Sequence, residues 1–174
     1  SETWGQLGSD IDGEAAGDKS GRSISLSSDG LTLAVGARFN DGENGEYSGH
    51  VRVYQYDATS ETWGQLGSDI DGEAAGDYSG DSISLSSDGL TLAVGASGNN
   101  GVNGERSGHV RVYQYNPFAG AWVQLGADID GEAEYDYSGG STLSSDGLTL
   151  AVGAPYNDGE NNEDENGGNS GHVR

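Results

Sequence analysis

Leu26-Ser27-Ser28-Asp29-Gly30-Leu31-Thr32-Leu33-Ala34-Val35-Gly36-Ala37 returns as residues 85–96 and again as residues 143–154. Just ahead of it, residues 23–27 alternate serine with Ile24 and Leu26, the period-2 signature of a half-buried strand. Asp29-Gly30 is a hairpin signal, because a tight primed turn needs the positive φ that glycine tolerates. In residues 31–37, Leu31, Leu33 and Val35 point one way, and Thr32, Ala34 and Gly36 the other. One face is bulky and the other nearly bare. Such a sheet suits a stack in which the large face of one copy nests into the small face of its neighbour.

Working outward, a polar loop of residues 38–49 leads to a third strand, residues 50–56. There Val51 and Val53 oppose His50, Arg52, Tyr54 and Tyr56. A short fourth strand follows around residues 62–66, and a Gly- and Asp-rich crossing, residues 67–80, leads into the next copy. Trp4, Trp63 and Trp122 set the period at 59 residues and divide the chain into copies 1–59, 60–118 and 119–174. A period of this size signals a repeat architecture whose units bury their apolar faces against one another. The expected fold is all-β: three four-stranded antiparallel β-propeller-type blades in tandem, as a partial propeller or repeat array. A stacked β-solenoid competes, although its coils usually repeat at shorter periods. Copy three drops one residue in its first strand, residues 140–143, and gains five in its long loop, residues 155–170. Propellers close with about four to eight blades, and the sequence stops at Val173-Arg174, where earlier copies continue Val-Tyr-Gln-Tyr. With no methionine present, the expectation is a longer parent chain or the association of copies.

Composition narrows the partners. The chain carries 29 acidic against 7 basic residues, net −22, which disfavours nucleic acid and anionic membranes, since both demand a concentrated basic face. Cations, basic partners or a saline habitat fit this charge better. No apolar run reaches membrane-spanning length, so no membrane insertion is expected. The absence of cysteine leaves the redox compartment unread.

The copies resemble FG-GAP repeats, the units of integrin-alpha-like β-propellers. Gly153-Ala154-Pro155 is similar to the family's Gly-Ala-Pro, while Gly36-Ala37-Arg38 and Gly95-Ala96-Ser97 lack the proline. Ser-Gly-His-Val-Arg-Val-Tyr at residues 48–54 and 107–113 resembles its Val/Tyr-rich strand. Two features depart from the pattern. Serine replaces the family's phenylalanine at Ser20-Gly21, Ser79-Gly80 and Ser138-Gly139, and the turns at Asp29-Gly30, Asp88-Gly89 and Asp146-Gly147 leave no room for the family's calcium loop. The resemblance implies a blade fold and, more loosely, extracellular adhesion or recognition.

Acidic residues recur in each crossing: Asp10, Asp12, Glu14 and Asp18; Asp69, Asp71, Glu73 and Asp77; Asp128, Asp130, Glu132 and Asp136. Alternating carboxylates around a glycine can gather the six to eight oxygens that calcium prefers. The alternative is a solvated acidic turn whose aspartates cap backbone amides. Residues 157–166 form a second calcium candidate by ligand type, or an unstructured tip. His50, His109 and His172 each open a third strand, two residues before an arginine, and read as structural. No nucleophile elbow or phosphate loop appears. The expected function is non-enzymatic: an extracellular or cell-surface module that recognises a protein or glycan through its loops, possible calcium stabilisation included. The alternative is a structural repeat protein tiled into a fibre, coat or matrix.

Overall fold

The computed structural model describes residues 3–158 and 170–174, and all regular structure among them is strand. The first sheet holds β1 (Ser23–Leu26), β2 (Thr32–Ala37), β3 (His50–Asp57), β4 (Thr62–Gln65) and β5 (Ile70–Asp71). The second holds β6 (Ser82–Leu85), β7 (Thr91–Ala96), β8 (His109–Asn116), β9 (Ala121–Gln124) and β10 (Ile129–Asp130). The third holds β11 (Gly140–Leu143), β12 (Leu150–Ala154) and β13 (His172–Val173). Every strand pairing is antiparallel, and the first four strands lie in sequence order, β1-β2-β3-β4. This is the blade architecture that the alternation implied. The two-residue strands β5 and β10, which pair with the starts of β3 and β8, were not foreseen. They lie inside the Gly- and Asp-rich crossings, where no apolar alternation marks them.

The sheets do not share the frame of the sequence copies. Residues 62–71 open the second copy yet complete the first sheet, and residues 121–130 do the same for the second.

The hairpin turns differ from the primed form expected. Gly30 N–H donates to Ser27 O (3.0 Å), and within the turn Gly30 alone has positive φ, at 75°. Asp29 explains the difference. Its Oδ1 accepts from Leu31 N (2.9 Å) and Ser27 Oγ (2.6 Å), while Ser27 Oγ accepts from Thr32 N (2.9 Å). The side chains thus satisfy the loop amides that a primed turn would leave to the strands. Asp88 and Asp146 repeat the arrangement.

Packing follows the large-face, small-face pattern. Ile83, Leu85, Leu92, Val94 and Tyr113 of the second sheet pack on Ala34, Val51 and Val53 of the first. In turn Ala93 and Val110 receive Val152, with Leu143 and Leu150 packed alongside. Fully burying one such aliphatic side chain contributes about 1.5–3 kcal/mol. Glycine makes the small face small for a reason: a Cβ at Gly36 would overlap Gly80 O, and one at Gly95 would overlap Gly139 O. At the outer edge, Trp63 Nε1–H donates to Leu7 O (2.8 Å) and Trp122 Nε1–H to Leu66 O (2.9 Å). Each indole lies against a strand tyrosine, Tyr56 or Tyr115. The tryptophan period is therefore a set of ties between successive copies.

Candidate functional site

The crossings run between neighbouring sheets, and each divides its four acids among three environments. The last acid is an internal cap. Asp77 is buried, and its Oδ2 accepts from Glu73 N (3.0 Å), Ala74 N (2.9 Å) and Asn99 Nδ2 (3.0 Å). Asp136 does the same with Glu132 N, Ala133 N and Asn157, and Asp18 with Ala15 N and Asn40. The first acid is held by a glutamine four residues earlier: Asp10 by Gln6, Asp69 by Gln65 and Asp128 by Gln124. The second acid, Asp12, Asp71 or Asp130, lies at the short added strand or its counterpart. Burial first, and then the Asp69 charge, push the Asp71 carboxyl above the usual carboxylate range.

The third acid meets the first acid of the following crossing, around a histidine. Glu14, His50 and Asp69 form one such group, and Glu73, His109 and Asp128 the next. The acids therefore do not gather crossing by crossing; they pair across successive crossings. Arginine enters each group. Arg52 pairs with Glu14 and reaches both Asp69 oxygens from Nε (3.2 and 3.1 Å), while Arg111 pairs with Glu73 (3.3 Å). Register makes the meeting unavoidable. His50 and Arg52 share the bulky face of β3, and β5 pairs directly with the start of that strand.

These groups are built for charge balance better than for a metal. The guanidinium of Arg52 already occupies the carboxylates that an ion would need. Burial, then the neighbouring Arg111 charge, lower the His109 pKa, so the ring is neutral at pH 7. Its Nδ1 faces Asp128 at 3.6 Å, and its Nε2 is enclosed without a hydrogen-bond partner. A proton on Nδ1 fits both facts. A metal on Nδ1 would move the N–H to Nε2 and bury it without an acceptor, whereas ligating histidines normally donate from the second nitrogen.

Beside the crossings lies a rim that the sequence did not single out. Lys19, Tyr78 and Tyr137 are equivalent positions, all left-handed, with φ of 56°, 58° and 51°. Tyr47 and Arg106 form a second equivalent pair, with φ of 56° and 50°. Side chains of this bulk cost about 1–3 kcal/mol in that region unless the surroundings hold them. Tyr78 and Tyr137 are held by the adjoining copy, since Tyr78 N donates to Tyr47 O (3.1 Å) and Tyr137 N to Arg106 O (3.0 Å). Phe39, Tyr47 and Tyr78 pack ring against ring at 5.5–6.3 Å, with the Arg38 guanidinium 4.4 Å from the Phe39 centroid. Tyr137 and Tyr156 make a comparable edge contact, and Arg106 bonds the Tyr137 hydroxyl (2.9 Å). Arg38 also pairs with Asp81 (2.6 Å). Burial raises the Asp81 pKa, but hydrogen bonds from Arg38 and Ser97 outweigh it and leave the carboxyl below its usual range. A cleft of about 1140 Å³ runs from Arg38 and Tyr78 past Tyr137 and Tyr156 to Gly153 and Val173. The available signal was residue identity. Lys19, Tyr78 and Tyr137 differ next to an invariant Ser-Gly, and Phe39, Gly98 and Tyr156 differ next to an invariant Asn.

The hairpins do not offer the calcium loop of FG-GAP propellers, because Asp29 Oδ1 is spent on Ser27 and Leu31. The serine that replaces the family's phenylalanine has a packing reason. Ser79 and Ser138 are fully buried, and a Cβ at Gly72 or Gly131 would already lie 3.1 Å from theirs, which leaves no space for a ring. In the second calcium candidate, residues 159–166 lie outside the described residues. No helix among the described residues is long and apolar enough to cross a membrane.

Comparison with known proteins supports a fold assignment. No curated protein sequence matches the chain. Similar solved structures include a complex of KlAtg21 with the coiled coil of AgAtg16, at 13% identity and TM-score 0.50, covering 78% of this chain and 37% of that one. The periplasmic gluconolactonase PpgL of Pseudomonas aeruginosa aligns at 22% identity and TM-score 0.44, over 76% of this chain and 35% of that one. Hydrazine synthase of Kuenenia stuttgartiensis aligns at 17% identity and TM-score 0.45, over 76% and 36%. The chain thus spans little more than a third of each of these structures, and its likeness to the first of them is one of fold alone. Residues 11–54 match the FG-GAP repeat family, and over that stretch this all-β chain is similar to an FG-GAP repeat.

Proposed function

We propose that the chain is a non-enzymatic recognition module of an extracellular or cell-surface β-propeller, binding a protein or glycan through the rim formed by its loops and crossings. One observation carries this reading. Residues such as the Ser-Gly and Asn beside the rim are constant from copy to copy, whereas the rim positions exchange Lys, Tyr, Phe, Gly and Arg, and the left-handed Tyr78 and Tyr137 are bonded through their backbone to the preceding copy. Conformationally fixed, chemically varied positions on a rigid scaffold are what a binding surface requires. Tyrosine and phenylalanine rings offer flat apolar area to a sugar or an aliphatic side chain, and the net charge of −22 favours cationic partners over nucleic acid. The test is a screen of immobilised glycans and basic proteins, followed by Tyr78→Ala and Tyr137→Ala. Binding should fall at least about tenfold with unchanged strand content. A ligand whose affinity ignores both substitutions would overturn the reading, as would turnover of a glycan or ester substrate by the purified chain.

Calcium enters this proposal as a stabiliser of the crossings, on the grounds of the high net charge and of the crowding of Asp71 by Asp69. Its test is the melting temperature in calcium against sodium chloride at matched ionic strength. Equal shifts would leave the crossing acids to their arginine and backbone partners alone.

A further inference from the structure

We propose that Asn100 is a modification site: it deamidates spontaneously to aspartate, the residue that the first and third copies carry at the same position, Asp41 and Asp158. This goes beyond the recognition reading and does not rest on it. The site lies in the loop between β7 and β8, inside the middle copy. Asparagine followed by glycine is a labile pair, because glycine has no side chain to hinder its amide nitrogen from closing on the neighbouring side-chain carbonyl. Among the described residues the chain holds three such pairs, Asn44-Gly45, Asn100-Gly101 and Asn103-Gly104, and all three asparagines are exposed. A fourth, Asn166-Gly167, lies outside the described residues.

Hydrogen bonds separate the three. Asn44 Nδ2 donates to Gly72 O and Asn103 Nδ2 to Gly131 O, each at 2.7 Å. Both amides are thus tethered to the next copy through the nitrogen that deamidation would expel. Asn100 is held by its other end, where Arg106 N donates to Oδ1 at 2.9 Å. A backbone N–H only donates and a backbone carbonyl only accepts, so the partners fix these amide orientations. Their effects on the reacting carbon are opposite. An N–H aimed at Oδ1 withdraws electron density from Cγ and stabilises the negative charge that grows on this oxygen when a nucleophile adds. A carbonyl bonded to Nδ2 leaves that nitrogen richer in electrons and a poorer leaving group. The glycine amides do not discriminate, since all three donate at 3.1–3.2 Å.

The chemistry needs only water. Gly101 N bonds to Cγ of Asn100 and the Cγ–Nδ2 bond breaks; the glycine nitrogen loses its proton to water, Nδ2 gains one, and ammonia departs. Water then opens the succinimide ring, at Cγ to give aspartate or at the Asn100 backbone carbonyl to give isoaspartate. The net change is water taken up and ammonia released. The aspartate product has its place ready: Asp41 Oδ1 accepts from Tyr47 N at 2.9 Å, the same bond that Asn100 makes with Arg106 N. At Asn44 or Asn103 a carboxylate would instead face a carbonyl oxygen and lose the tie between copies. Conversion of Asn100 places a negative charge on the rim near Arg106, which bonds the Tyr137 hydroxyl at 2.9 Å.

Incubation of the purified chain at mildly alkaline pH, with digestion and tandem mass spectrometry of each Asn-Gly pair, tests this. In the folded chain Asn100 should exchange its amide for a carboxylate about tenfold faster than Asn44 or Asn103. In concentrated urea the three rates should converge, because the hydrogen bonds that separate them are gone. A second measurement concerns the product. Asn100→Asp should melt as the wild-type chain does, while Asn103→Asp should melt lower. Equal rates in the folded chain, a lead for Asn44 or Asn103, or a spread that persists unchanged in urea would overturn the proposal. So would an Asn100→Asp chain that melts as low as Asn103→Asp.

Discussion

Residues 23–37 and 82–96 are the same fifteen amino acids in the same order, folded into the same hairpin with the same register. Their surroundings are not the same. Ile24 is 66% exposed and Leu26 54%, whereas Ile83 is 9% and Leu85 8%. Local sequence therefore decides the hairpin and leaves the burial to the neighbour. The second sheet is covered on its bulky face by Ala34, Val51 and Val53, while the first has no sheet before it among the described residues. In a repeat protein of this kind much of the stability lies in the interfaces between units, and identical units can differ widely in what they contribute.

The largest expected effect breaks this comparison directly. Leu85→Ala should cost about 2–4 kcal/mol in urea denaturation, and Leu26→Ala less than about 1 kcal/mol, although both leucines sit in the same tetrapeptide. Equal losses would mean that the first sheet is covered in solution. Next, Gly95→Ala should cost about 1–3 kcal/mol, because its Cβ would press on Gly139 O, whereas Gly153→Ala should be neutral or slightly stabilising. A third pair concerns the caps. Asp77→Ala removes three hydrogen bonds from a buried carboxylate and should cost about 2 kcal/mol; Asp18→Ala, which removes two, should cost about 1 kcal/mol. Thermal melts rank these variants if denaturant curves overlap.

The smallest effect is in pH. Serine hydroxyls first, then backbone amides, lower the pKa of Asp29, Asp88 and Asp146 in the folded chain. A lowered folded pKa contributes stability that is present above the unfolded aspartate value, about 3.9, and is lost as pH falls through the folded value. Asp71 has the opposite sign: its raised pKa means that protonation on acidification relieves strain. Melting temperature should therefore hold or rise slightly as pH drops from 7 toward 5, then fall below about pH 4. Asp88→Asn should make that acid limb shallower; an unchanged limb would show that the hairpin aspartates do not set it.

Most of the fold was legible because its signals are local and repeated. Alternation in Ser23–Leu26, the Asp-Gly turns and the Trp period each report on a few consecutive residues, and three copies reinforce them. The short strands β5 and β10 escaped because Ile70–Asp71 pairs by backbone alone and carries one apolar side chain. The site was less legible for a geometric reason. Glu14 and Asp69 lie 55 positions apart and meet only because β5 returns to the start of β3, bringing His50 and Arg52 with it. The left-handed Tyr78 and Tyr137 gave no composition signal either, since the residues that hold them, Tyr47 and Arg106, belong to the preceding copy.

The offset between sheet and copy has a consequence for inheritance. The first two sheets borrow their outer strands from the next copy, as residues 62–71 complete a sheet begun at residue 23. A gene segment that duplicates or deletes one tryptophan-framed copy, such as residues 60–118, therefore does not insert or remove a free-standing sheet. It rejoins the front of one sheet to the back of another, and wherever the breakpoint falls the new seam reads as an old one. Lineages can lengthen or shorten such an array by unequal exchange without first inventing a compatible boundary.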